Sequence, residues 1–594
     1  MFCRKEVVLM KRKIQKAISV ILAAAIMLTG SVFAFADDGE AADNSGIIAV
    51  TNIVNGLLNA VFKGFGALFP KDFETVEEYY SKENNDFYEG MKVFLDEPAE
   101  NAKWHLGFGK ASMVPENLKD GSKEYYTGGY FTQKINGVYD DQGANAVAMH
   151  DNSGRGTVVT VAVDGIGVCS EDVRAIRCEA ERKLKESGVT SDIVAININS
   201  THCHTVIDTQ GFGLAPLIKT VFQNLFSFLP FIEKTRSIDP EFHELMIDGA
   251  SDAIVGAYLG MEAGELYYFE TAGIGRSERN NNYLDDEYDY IFNKRYDMEG
   301  YQHVIACFKF VPDNTSSAPT VLANFGGHPT TIDRATKLLS ADFPNFIEEK
   351  LNAAGMNFAF IQGAQSPISV NKGGVKTQEI LDEIDAQIAE DPAVQDYADA
   401  KKLGYEFARL ILDAEKNAKS VAPLLNVRMA EVTIPLEYGL MELGAVSGLL
   451  GMTVVRDKAS PSRFSIISEV GYLEIGTDTV MLTVPGELVP QLVYGNVVDK
   501  TQSYLGTDWE LDYTSDIVGE GKTVLVMGLC NDAIGYIVPD NDYAPFIADS
   551  IWNTDLGEKL FGKAHRHYEE MLSTGSKAGS TVIGALNSIV KQYN

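Results

Sequence analysis

Six cysteines in 594 residues are too few and too scattered to form a disulfide framework. Basic side chains are also scarce: 50 Lys and Arg stand against 83 Asp and Glu, a formal net charge of -33. Nucleic acid needs a clustered cationic footprint, so this balance excludes it as the main partner. It also excludes tight binding to an anionic membrane by charge alone, while leaving a neutral lipid open as substrate. Several catalytic signatures are missing too. His243-Glu244 lacks the second histidine of H-E-x-x-H, and there is no G-x-S-x-G elbow. Gly519 to Thr523 (GEGKT) looks like the end of a phosphate loop. Asp516 stands where its first glycine belongs and a strand follows, so the segment reads as a turn.

The composition that remains, 45 % apolar and 22 % charged, is that of a folded globular chain. The first 36 residues read as a secretory signal peptide. Arg4, Lys5, Lys11, Arg12, Lys13 and Lys16 precede the apolar core Ala17 to Gly30, and Ala34-Phe35-Ala36 is a small-x-small cleavage site. A secreted or extracytoplasmic location follows, with an uncleaved membrane anchor as the lesser reading. Without this leader the balance is 44 basic against 82 acidic residues, or -38. Cys169, Cys178, Cys203, Cys307 and Cys530 remain, an odd number, so at least one thiol is free or paired between chains.

Residues 37–100 read as a helical N-terminal extension. Its apolar part, Ile47 to Phe69, either docks on the body as an amphipathic helix or makes peripheral contact with a membrane or lipid aggregate. Residues 71–100 are charged and helix-like. From Trp104 onward β-type runs alternate with helical ones. Strands are expected at 156–167, 192–199, 320–324, 358–362, 427–436, 479–484 and 523–527. Helices are expected at 171–187, 240–260, 345–354 and, as one long element, 378–418. This alternation predicts an α/β fold: a large mixed α/β catalytic domain over 101–594, its sheets flanked by helices and its active site at strand ends.

Chemistry-bearing residues cluster just past those strands. DIVAININ runs into Ser200-Thr201-His202-Cys203-His204. VLANF runs into Gly326-Gly327-His328-Pro329. VMLTV runs into Pro485-Gly486-Glu487, and VLVMGL leads through Asn531 and Asp532 to Gly535-Tyr536. On an extended segment His202 and His204 point the same way. A second H-x-H, His565 and His567, lies in a charged segment and reads as plain solvated residues. Two histidines plus a carboxylate make an ordinary hydrolytic zinc set.

These turns resemble the neutral ceramidases, the neutral/alkaline non-lysosomal ceramidase family. The resemblance runs from HLGFGKASMV at His105 through NSTHCHT at Asn199, Gly275-Arg276-Ser277 and Gly327-His328-Pro329-Thr330. It continues with QGAQSP at Gln362, Pro485-Gly486-Glu487, Asn531 to Tyr536 and Tyr568-Glu569. It implies a zinc-dependent amidohydrolase that cleaves the N-acyl amide of ceramide, or a related lipid amide, by metal-activated water. The implied Zn2+ ligands are His202, His328, Glu487 and Tyr536. The implied catalytic residues are His204 beside the metal, Arg276 at the amide, Ser366 as nucleophile or as water and oxyanion positioner, and Tyr568 as a substrate-side hydroxyl.

The chain departs from the family at several points. Gln365 replaces the aspartate before the serine in a shortened loop. Val206 to Gly213 replaces a glycine-rich segment, and the family's C-terminal β-sandwich domain is expected to be absent. The departures keep two other readings open: a zinc amidase or esterase on a different N-acylated or ester substrate, and an extracytoplasmic lipid-binding protein with a relic site. The apolar stretch Leu214 to Ile232 is either a lipid-facing lip of the cleft or a buried helix pair. Cys203, between two site histidines, is expected to be buried and not cross-linked.

Overall fold

The computed structural model describes residues 72–82, 86–129, 133–227, 233–275, 290–296, 303–544, 567 and 569–593, with scattered positions between 56 and 69. Valine-, isoleucine- and alanine-rich runs form the larger of two main sheets. Its strands are β1 (Trp104–Ser112), β2 (Gly143–His150), β3 (Thr157–Val163), β4 (Ile193–Ser200), β5 (Glu262–Glu270), β6 (Ala306–Pro312), β7 (Thr320–Phe325) and β8 (Asn357–Gln362), with Lys419–Ser420 added beside β5. Their spatial order is β8-β7-β6-β5-β1-β2-β3-β4. The middle is antiparallel, and the outermost pair at each end, β3–β4 and β7–β8, is parallel. A parallel pair needs a crossover, supplied by helices α1 (Ser170–Glu186) and α4 (Asp342–Ala353). The two histidine turns leave this sheet at the ends of β4 and β7.

The second sheet has the order β9 (Leu425–Pro435), β11 (Phe464–Ile475), β12 (Thr479–Thr483), β13 (Thr523–Met527), with β10 (Thr453–Arg456) pairing β11. Strand periodicity sorts the side chains of both sheets into two faces. Val158 and Ala162 of β3 point toward the other sheet, meeting Met429, Leu473 and Met527. Val159, Val161 and Val163 point outward, beneath Val173 and Ile176 of α1 and Met246 and Ala250 of α3 (Pro240–Leu259). On the far face of the second sheet, Ile434, Ile466 and Leu482 pack under Val582 and Leu586 of α8 (Ala578–Tyr593). The layers run helix, sheet, sheet, helix, and central strands such as β3 and β11 are buried on both faces. Each fully buried Val, Leu or Ile contributes roughly 1.5–3 kcal/mol.

Close approach of layers has a visible cause on β1. A Cβ added at Gly107 or Gly109 would lie 2.1 Å from the carbonyl oxygens of Ala257 and Ala253, so the backbone of α3 rests directly on that strand.

Three expectations from the sequence need correction. Among the described residues of 72–100 only Val76–Tyr80 is helical; the chain around Gly90 and Met91 is extended and bonds to the carbonyls of Val194 and Val427 at 3.1 and 2.8 Å. Backbone pairing to a strand edge outweighs the weak helix preference of that charged segment. The single helix expected over 378–418 is broken. α5 (Gln378–Glu390) ends at Asp391, a 3-10 turn spans Pro392–Tyr397, and α6 (Ala398–Ala414) follows. Pro392 lacks the N–H a continuing helix needs, and the Asp391 carboxylate caps Ala393 N instead. His567 is buried, not solvated, because its ring pairs with Glu570 beside the buried guanidinium of Arg295.

The described positions of 47–69 dock on the body. Asn59 accepts from the Gly439 N–H at 2.6 Å, at the start of helix α7 (Gly439–Val446), and Phe69 is buried. Helix α2 spans Leu214–Leu225, and Asn224 near its end clamps Thr235 and Ser447. No described helix is long and apolar enough to cross a membrane. The leader read at 1–36 lies outside the described residues.

Candidate metal centre

The edges of the large sheet, β4 and β8, meet. Asn199 at the end of β4 accepts from the Gln362 N–H at 3.0 Å and donates to the Gln362 carbonyl at 3.4 Å. The segment after β13 fills the rest of the seam. Ser200 N–H donates to Leu529 O at 3.1 Å, Asn531 N–H to Ile198 O at 2.8 Å, and Gly528 N–H to Gln362 O at 2.9 Å. Curling the sheet in this way brings the turn after β4 beside the turn after β7. Past β12 the chain adds Glu487–Leu488, which forms a separate short parallel pair with Tyr536–Ile537.

At this seam His202, His328 and Glu487 converge. Their ligand atoms lie within 4.8 Å of one another, and all three side chains are buried. Glu487 Oε2 is 3.3 Å from His202 Nε2 and 3.1 Å from His328 Nε2. Each imidazole is oriented from behind: His202 Nδ1 is 2.7 Å from the Ile166 carbonyl, His328 Nδ1 2.6 Å from the Ile368 carbonyl. A carbonyl only accepts, so Nδ1 carries the proton in both rings and Nε2 presents a lone pair. Two lone pairs and a carboxylate oxygen facing one point repel unless a proton or cation lies between them. The donor set therefore fits a divalent metal, with the carbonyl-backed Nδ1–H typical of ligating histidines.

The electrostatics agree. Burial disfavours a charge on His202, yet the Glu487 carboxylate outweighs it and lifts the imidazole above its ordinary value. Burial lowers His328, with Glu487 opposing. Burial alone would raise Glu487; the two imidazoles override it and hold the carboxyl well below the usual range. The position of His202 strains its backbone: its φ is +66°, a left-handed conformation costly for a non-glycine residue. The extended H-x-H geometry read from the sequence is thus a turn, although the His202 and His204 rings still sit 4.9 Å apart.

His204 is half-buried with its ring nitrogens shielded from solvent, and it is pushed well below the ordinary histidine range by desolvation, then by the charges of His202 and His328. Its ring lies against Gly129, where an added Cβ would come within 2.2 Å of it. Tyr536 is buried and stands directly across from Glu487 in the short parallel pair. The preceding Gly535 (φ +84°) is irreplaceable on steric grounds, since a Cβ would fall 1.7 Å from the Leu572 carbonyl. Ser366 lies on the loop that carries Ile368. Its N–H donates to Leu488 O at 3.2 Å, and its buried Oγ has no hydrogen-bond partner among the described residues. Arg276 and Tyr568 lie outside the described residues. Cys203 is buried, and its thiol donates to Ala341 O at 2.8 Å; the five described cysteines are all free.

Two buried polar residues tie together the body around this centre without touching its ligands, and the sequence assigns neither of them a role. Asn324 on β7 donates to Ile361 O and Val526 O, tying the two sheets together. The available signal was an asparagine near the end of an otherwise apolar strand. Asp532 accepts from Ser170 N–H at 3.0 Å and Ala533 N–H at 2.8 Å, fastening the start of α1 to the turn that leads to Tyr536. Burial pushes its carboxyl up to about 7. Its folded-state value thus exceeds its unfolded one, so its contribution is present at low pH and is lost as pH rises from about 4 to about 7. Asp532→Asn keeps the accepting Oδ1 and removes the titration. Its melting temperature relative to wild type is expected to climb across that window, which thermal scans at pH 5, 6, 7 and 8 would read.

No family profile and no curated protein sequence matches the chain. Solved structures share its architecture, among them two ceramidases. Neutral ceramidase from Pseudomonas aeruginosa is 15% identical over 83% of this chain and 74% of its own, with a TM-score of 0.53. A ceramidase complexed with C2 is 16% identical over 83% of this chain and 75% of its own, with a TM-score of 0.52. The two-sheet body whose seam joins His202, His328 and Glu487 is therefore built on the neutral ceramidase fold.

Proposed function

We propose that the chain is a zinc-dependent hydrolase that cleaves the N-acyl amide of ceramide, or a related lipid amide, to a fatty acid and a sphingoid base. The convergence of His202, His328 and Glu487 at the seam of a neutral ceramidase fold carries the reading. These three, with Tyr536, would hold the metal. When bound, zinc supplies a Lewis acid and lowers the pKa of its water to about 7.

The chain's own residues supply the rest. Glu487, held anionic by its two histidine neighbours, contributes the one negative charge among the described ligands. His204, kept neutral by burial and by its fellow imidazoles, offers a ring nitrogen that can take the proton of the attacking water. The departing sphingoid amine needs a proton, which His204 can return or Tyr568 can donate. Ser366, whose buried hydroxyl has no other hydrogen bond among the described residues, is suited to the reacting water or the oxyanion. Arg276 would polarise the amide. A location outside the cytoplasm follows from the leader read at 1–36.

The test is hydrolysis of a fluorescent ceramide by the purified protein together with its metal content. Stoichiometric zinc and activity that a chelator abolishes and zinc restores are expected; protein without metal or turnover would overturn the assignment. Gln365 favours a second reading, in which the substrate is another N-acyl amide or an ester. It replaces the family's loop aspartate, and both polar atoms of its buried carboxamide lack partners among the described residues. Turnover of short N-acyl amides without ceramide turnover would select it.

A further inference from the structure

The carboxamide of Gln362, fully buried at the end of β8, lies between the two histidine turns. Its Nε2 donates to Thr201 O at 3.1 Å and to Gly327 O at 3.0 Å. Its Oε1 accepts from the N–H groups of Gly327 and Gly363, each at 3.2 Å. Thr201 and Gly327 are the residues immediately before His202 and His328. One planar amide thus grips the peptide that introduces each imidazole, while its backbone is held across the seam by Asn199. Among the described residues no backbone ladder joins the two turns directly, because the strands that carry them lie on opposite sides of the large sheet.

We propose that Gln362 is a positioning residue that sets the spacing of the His202 and His328 imidazoles, and with it the affinity and geometry of the divalent-cation site. The inference rests on reading His202, His328 and Glu487 as metal ligands. A shell behind the ligands of this kind typically governs about 10–100-fold of metal affinity. Asn324 provides the comparison. It too is a buried amide that donates to two main-chain carbonyls, but those belong to Ile361 and Val526, outside the histidine turns. A purely structural role would make the two amides equivalent.

The experiment uses the full chain, stripped of metal and titrated with Co2+, reading the dissociation constant and the visible absorption bands. Gln362→Leu is expected to weaken Co2+ binding about 10–100-fold and to change the bands. Asn324→Leu, although destabilised, is expected to bind within about threefold of wild type with unchanged bands, well short of the loss typical for partners behind metal ligands. Gln362→Asn, one methylene shorter, keeps the amide chemistry yet cannot span both turns, and serves if the leucine variant does not fold; the same loss is expected. Wild-type affinity and bands in the Gln362 variants would overturn the positioning role and leave the metal site standing, as would equal losses at Gln362 and Asn324. A wild-type chain that binds no cation would overturn both.

Discussion

Replacing Arg295 by methionine is expected to lower the stability of the chain by about 3–5 kcal/mol, the cost of leaving buried charge without its partner. Arg295 is completely buried, as are the three carboxylates it meets: Asp542 at 3.1 Å, Glu569 at 3.2 Å and Glu570 at 2.9 Å. It also donates to the Asp542 carbonyl at 2.7 Å, and Tyr296 OH donates to the same residue's carboxylate at 2.7 Å. His567 completes the group, its Nδ1 2.8 Å from Glu570. Burial opposes the guanidinium charge, but the surrounding carboxylates outweigh it and raise Arg295 well above its ordinary value. Burial lifts Glu569 above the usual carboxylate range, while Arg295 and His567 overcome burial to hold Glu570 below it.

This cluster lies outside the metal centre but reaches it mechanically. Residues 569–572 continue to the Leu572 carbonyl that lies against Gly535, next to Tyr536. Chemical unfolding in urea measures the loss, and the triple variant Arg295→Met, Glu569→Gln, Glu570→Gln is expected to recover most of it by removing two of the three stranded carboxylate charges. A loss below about 1 kcal/mol for the single variant, or no recovery in the triple, would show that the cluster is solvated enough to do without its cation.

The second large effect is expected at Glu487. Glu487→Gln preserves size and removes the charge that faces both imidazoles. Metal affinity should fall by more than the roughly 10–100-fold that partners behind the ligands cost, and ceramide turnover with it. Because the glutamine retains an oxygen and the buried packing, the melting transition of the metal-free protein should survive, which separates loss of the site from loss of the fold. Elemental analysis and competition against a chromophoric chelator give the readout. Stoichiometric zinc at wild-type affinity in this variant would remove Glu487 from the ligand set.

Much of the architecture is legible in the sequence. Runs such as TVVTVAV and DIVAININ are short, apolar and rich in β-branched residues, as buried strands are, and Val173, Ile176, Ala180 and Leu184 recur at helical spacing. His202, His328, Glu487 and Tyr536 can each be located past a strand end because each comes shortly after a short apolar run rich in β-branched residues. Other features escape a local reading for equally physical reasons. His567 lies in the charged stretch KAHRHYEE, where local polarity suggests solvent. The distant Arg295, which balances Glu569 and Glu570, lets His567, Glu569 and Glu570 be buried. The apolar spacing over 378–418 suits one helix, but the missing N–H of Pro392 interrupts it.

The sequence by itself determined the elements, their apolar faces and the kinds of side chain delivered to each strand end, because these depend on residue type and a period of two or 3.6. Tertiary structure alone decided that the two outermost strands of one sheet should meet. Local periodicity carries no information about sheet order, so nothing in the chain announced that Asn199 and Gln362, 163 positions apart, would hydrogen-bond across a seam. That closure places His202 beside His328 and lets the segment after β12 present Glu487 to both. Three turns that are ordinary when read separately become a candidate metal centre through it.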